Sequence, residues 1–130
     1  MMTQPWHQIV ARYDGYRGRP KRSIQALQKM ARRIGESPLA QGLFASHSMW
    51  DLEILQREVN YPYDGPRLRL SAISDDQIEF RYLDTHEKEK QWHRTVDVDQ
   101  AWSRLIQFLD QLRWFPADLL ESLTDEPTRP

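Results

Sequence analysis

The sequence predicts an α+β domain: two or three N-terminal helices and a C-terminal amphipathic helix packed on one face of a four-stranded antiparallel meander, a two-layer sandwich. Three observations carry this. Apolar residues recur at helical spacing near both ends of the chain. Between residues 50 and 98 they alternate singly with polar ones. The alternating stretches are joined by short polar connections, which favour antiparallel neighbours.

Residues 5–13 read as a short helix. Residues 14–20 hold Gly15, Gly18 and Pro20 and read as a loop. In residues 21–34, Ile24, Leu27, Ala31 and Ile34 form one apolar stripe, and Gly35 stands where a left-handed C-terminal cap is expected. Ser37-Pro38 is a helix start, with a hydroxyl cap and a proline in the first turn. Leu39, Leu43 and Phe44 complete that short helix. The period then changes from helical to two. Trp50, Leu52 and Ile54 share one side of the first strand, Leu68, Leu70 and Ala72 of the second, Ile78, Phe80 and Tyr82 of the third, and Trp92, Val96 and Val98 of the fourth. Asp99 is placed to cap a last helix whose face holds Trp102, Leu105, Ile106, Leu109 and Leu112, and Phe115-Pro116 ends it. Residues 1–123 read as one domain and 124–130 as a frayed tail.

The chain has 130 residues and no cysteine, which excludes a disulfide scaffold, a thiolate metal site and a cysteine nucleophile. Its beginning lacks the basic-then-apolar pattern of a signal peptide, and no apolar run is long enough for a membrane helix, so the expected location is the cytoplasm. Net charge is −1 but lopsided: residues 1–35 carry +7 and the remainder −8. Such a split fits either an anionic partner or two halves that pack on each other.

Four groups of residues are candidates for function. Arg17, Arg19, Lys21, Arg22, Lys29, Arg32 and Arg33 would follow an anion or a nucleic-acid backbone, or simply form a solvated face. Tyr61 and Tyr63, stiffened by Pro62 and Pro66, suit partner recognition, or fold back over the core edge. Trp114, Phe115, Leu119 and Leu120 would make an apolar patch for another chain, or wrap back on the core. Arg94 interrupts an apolar face. With a hairpin centred on Glu87 it lies opposite Phe80, and Trp92 opposite Tyr82, so Arg94, Trp92 and Tyr82 would line a small-ligand pocket, or Arg94 would keep its head in water. The four histidines, His7, His47, His86 and His93, have no metal-binding spacing, and no nucleophile elbow, phosphate loop or dinucleotide fingerprint occurs. No cofactor, metal or membrane partner is expected. The leading expectation is a non-catalytic protein-binding protein, such as an adaptor, inhibitor, immunity or chaperone-like module. The alternatives are a nucleic-acid-binding accessory protein and, behind it, an enzyme or ligand pocket near Arg94.

Overall fold

The computed structural model describes residues 2–18, 21–59 and 65–124. Helices α1 (Trp6–Tyr13) and α2 (Arg22–Gly35) come first, and a 3₁₀ turn (Pro38–Gln41) follows. Five strands come next: β1 (Phe44–Ser48), β2 (Asp51–Leu55), β3 (Pro66–Ala72), β4 (Gln77–Asp84) and β5 (Trp92–Asp97). Helices α3 (Ala101–Gln111) and α4 (Ala117–Ser122) close the described chain. The strands lie in chain order, each antiparallel to its neighbours.

The α+β class holds, with one strand more than expected. Leu39, Leu43 and Phe44 do not share a helix. The turn ends at Gly42, and Phe44 opens β1. Ser37 does cap that turn, its hydroxyl accepting the Leu39 N–H at 3.2 Å. β1 reads Phe-Ala-Ser-His-Ser, so it carries almost no apolar alternation. It exists because a two-residue turn folds it back onto β2, where backbone pairing suffices. Two caps also differ. Gly35 stays inside α2, and its missing side chain lets α1 approach: a Cβ there would lie 2.8 Å from the Cβ of Trp6. Asp99 belongs to a 3₁₀ turn (Val98–Gln100) and pairs with Arg22 at 2.7 Å, and α3 starts with no side-chain cap.

The core lies between the sheet and the stripes of α2 and α3. Leu27, Ala31, Ile34, Leu105 and Leu109 are fully buried, as are Leu52, Ile54, Leu68, Leu70, Ile78 and Phe80 from the strands. Each large side chain so buried contributes roughly 1.5–3 kcal/mol. The register puts His47, Leu52, Leu70, Phe80 and Arg94 in one row across this inner face. The row Ser46, Glu53, Arg69, Arg81, His93 crosses the opposite face. There Arg69 meets Asp51 at 2.7 Å and Glu53 at 3.2 Å, while Arg81 and His93 meet Glu79 at 3.5 and 3.8 Å. Glu53 is only 2% exposed, a burial its arginine partner makes tolerable.

Both edges of the sheet are blunted. The Gln4 N–H donates to the Ala45 carbonyl beside β1 at 2.8 Å. On the other side Val98 N–H donates to Asp76 O, extending the β4–β5 ladder through even-numbered residues. The backbone groups of His93, Thr95 and Asp97 therefore point off the sheet. Arg94 sits among them as a charge on the inner face, and its Nη1 donates to His93 O at 2.7 Å.

Candidate partner-binding surface

Antiparallel order places the β1–β2 and β3–β4 turns at one end of the sheet and the β4–β5 connection at the other. At the first end, Ser48 pairs with Asp51, leaving Met49 and Trp50 as a two-residue turn. Met49 has φ 57°. A positive φ at the first turn residue suits the right-handed twist of a hairpin but favours glycine, and a residue with a Cβ gives up roughly 1–3 kcal/mol to adopt it. Met49 is also 78% exposed, the highest value among the exposed large apolar residues described, ahead of Met2 and Ile73.

Helix α1 holds this turn in place. Its apolar residues Ile9 and Tyr13 are buried, so Arg12 and Tyr13 arrive beside the turn in fixed positions. Arg12 Nη2 donates to Met49 O at 2.9 Å, and its guanidinium carbon lies 4.7 Å from the Trp50 ring centre. The Tyr13 hydroxyl donates to Trp50 O at 3.2 Å. Tyr16 meets the Trp50 ring edge-on, with centroids 5.0 Å apart and planes at 85°. The chain can bring the Tyr16 ring that close because Gly18 leaves room: a Cβ there would be 2.7 Å from the Tyr16 hydroxyl. Burial pushes the Tyr13 hydroxyl to a higher pKa, and Asp51 adds to the effect. It pushes His47 below its ordinary 6.5, with Arg12 adding to it, and His47 Nδ1 is buried without a hydrogen-bond partner.

Both signs of charge meet at this end. Arg12 and Arg17 (the exposed residue after Tyr16) belong to the β1–β2 side, while Lys21 precedes Ser23, whose N–H donates to Asp75 O at 2.9 Å beside the β3–β4 turn. On the β3–β5 side are Asp75, Asp76, Asp97 and Asp99, all exposed. Arg22 pairs with Asp99 on that same side at 2.7 Å. Among the described residues, Arg17, Lys21, Asp75, Asp76 and Asp97 make no ion pair.

The other residues singled out in the sequence are scattered. Tyr61, Tyr63 and Arg19 lie outside the described residues. Lys29 and Arg32 are exposed on α2; Arg33 lays its guanidinium 4.2 Å from the Trp102 ring centre. Arg32 borders a cleft of about 510 Å³ between α1 and α2, with Trp6, His7, Val10 and Glu36. Lys29 and Arg33 border a smaller one of about 210 Å³ against Trp102. Thus the cations divide between a sheet end, two clefts and an ion pair. Trp114, Phe115 and Leu119 are half-buried and Leu120 is 2% exposed. This segment turns back on the molecule: Phe115 packs against Gly42, and Trp102 Nε1 donates to Leu123 O at 2.8 Å. Arg94 does lie opposite Phe80, and Trp92 opposite Tyr82 with their rings stacked 5.9 Å apart. The Arg94 guanidinium is exposed, 5.4 Å from the Trp92 ring centre.

Met49, Tyr16 and Arg12 were absent from the sequence candidates, and Trp50 stood there as a strand residue. The signal that could have found them is the abrupt change of period after Ser48 with no glycine to make the turn. Among the described residues no group of three or more His, Asp or Glu is placed to hold a metal ion, and no helix is long and apolar enough to cross a membrane. The chain matches no protein-family model, no curated protein and no solved structure.

Proposed function

We propose that this protein is a non-catalytic binding module that docks on protein through the end of its sheet bearing the β1–β2 turn. The observation that carries the reading is Met49: a flexible apolar side chain, 78% exposed, presented by a strained backbone that α1 braces from both carbonyls of the turn. Strain maintained by neighbouring side chains is a common mark of a functional position. A contact held rigid before binding loses little entropy when it docks, and methionine adapts its shape to the pocket it enters. Docking on nucleic acid has less support. Tyr13 and Tyr16 pack tilted and edge-on against Trp50, so these rings are engaged with one another, and the cations of α2 do not converge on one groove.

Site-specific photo-crosslinking tests the reading. A benzophenone amino acid replaces Met49 or, at the opposite end of the sheet, the exposed Lys88, and the full chain is irradiated in its native cells. A discrete protein adduct from position 49 and none from position 88 is expected. Equal yields at both positions, or none at either, would remove the basis for the proposal.

A further inference from the structure

Away from the β1–β2 turn, helices α1 and α2 flank the cleft of about 510 Å³, a volume within the range of small-molecule sites. The two helices are tied together on either side of it. Trp6 sits against Gly35, where a Cβ would lie 2.8 Å from its own, and the Trp6 Nε1 donates to Leu43 O at 3.1 Å. Farther along, Gln28 Nε2 donates to Val10 O and to Asp14 Oδ1, both at 2.9 Å. α1 therefore runs back along α2 in a fixed position, and the cleft exists before any ligand arrives. Trp6, Val10, Ala31 and Gly35 wall it. They offer apolar surface and, at Gly35, bare backbone.

The rim carries charges of both signs. Arg32 and Glu36 are exposed and border the cleft, with His7 on the facing helix. Residues four apart along a helix are close enough to pair. Yet neither Arg32 nor Glu36 makes an ion pair among the described residues. Glu36 also directly follows α2, at the end where backbone carbonyls gather partial negative charge. A cation is favoured there and an anion beside Arg32. We propose that this cleft binds a free α-amino acid with an apolar side chain. Its carboxylate lies on the Arg32 guanidinium, its ammonium on Glu36, and its side chain between Trp6, Val10 and Ala31. A ligand of that class meets the apolar walls and both charges together. A simple carboxylic acid would bring its charge near Glu36 with nothing to offset the repulsion, and a simple amine would do the same near Arg32. The interior of a peptide chain carries neither charge. The site is separate from Met49, and the inference does not depend on the docking reading.

Titration of the purified full chain with L-leucine and L-phenylalanine, followed by calorimetry and by backbone amide NMR shifts, tests the proposal. Binding is expected, with the largest shifts at Val10, Ala31 and Gly35. The amides of the same amino acids lack the carboxylate, and their N-acetyl forms lack the ammonium. Each is expected to bind at least about tenfold more weakly. Arg32→Gln should bind the free amino acid and its amide alike. Glu36→Gln should bind the free and N-acetylated forms alike. Both side chains are exposed, so these variants keep the fold. A wild-type chain whose cleft amides do not shift at millimolar amino acid overturns the inference. So do amides or N-acetyl forms that bind as tightly as the free amino acids, and so do variants that keep the wild-type preferences.

Discussion

Two hairpin connections at opposite ends of one sheet solve the same problem in contrasting ways. The β4–β5 connection satisfies itself. The Asp84 carboxylate accepts N–H bonds from His86 and Glu87 at 2.9 and 3.2 Å and the Tyr82 hydroxyl at 3.4 Å, while the Asp84 N–H donates to Gln91 Oε1. Glu87 and Lys90 pair above it, and no residue there has a positive φ. The β1–β2 turn relies on another element. It puts a methionine where glycine is favoured and depends on Arg12, Tyr13 and Tyr16 to hold it. Topology demands neither the strain nor the exposed thioether. A five-stranded sheet that makes one quiet turn has no architectural need of a costly one, which is why the costly one is the functional candidate.

The contrast breaks first at Trp50. Trp50→Ala removes the ring on which Arg12, Tyr13 and Tyr16 converge and is expected to cost about 3 kcal/mol in urea unfolding. Glu87→Ala in the polar connection should stay within about 0.5 kcal/mol. Similar losses at both would mean the two turns are equivalent. Met49→Gly sharpens the contrast with an opposite sign. It relieves the positive φ and should raise stability by about 1 kcal/mol, while the interaction made by this end weakens at least about tenfold in sedimentation or crosslinking. A variant that is more stable and binds as before would reduce Met49 to an accident of the turn.

The two ends should also titrate apart. The folded pKa of His47 lies below 6.5, first through burial and then through Arg12, so the unfolded chain takes up the proton first. Stability from this end is complete above pH 6.5 and declines as pH falls through the folded value. His47→Gln should flatten that decline in urea midpoints measured across the range. For Asp84, burial raises the pKa, but the bonds from His86, Glu87 and Tyr82 prevail and hold it below 3.8. Its contribution is therefore present above pH 3.8 and is lost only as pH falls through the lower folded value. Asp84→Asn should change that acid limb, the smallest of these effects near neutral pH, and leave the His47 limb alone. A single limb abolished by either substitution would mean that the two ends do not titrate independently.

The amount of this that could be read from sequence depended on what each element needed. β4 buries every second side chain, β3 buries Leu68 and Leu70, and β5 buries Val96 between exposed neighbours, so their alternation marked the strands, the inner face and, with a hairpin centred on Glu87, the register of Arg94 against Phe80. β1 was illegible because an edge strand of Ala, Ser and His needs only backbone partners. Gly35 looked like a cap because glycine serves several purposes, and only the position of Trp6 shows that close helix packing is the one used here. The candidate surface was hardest to see. Its residues come from α1, the loop after it and the β1–β2 turn, and what marks Met49 is an apolar exposure joined to a positive φ, a backbone angle that Arg113 also adopts.

The guarded flanks of the sheet limit what any association can become. With Gln4 bridged to Ala45 beside β1 and the Arg94 charge at the rim of β5, each flank carries a device that disfavours pairing with a further strand.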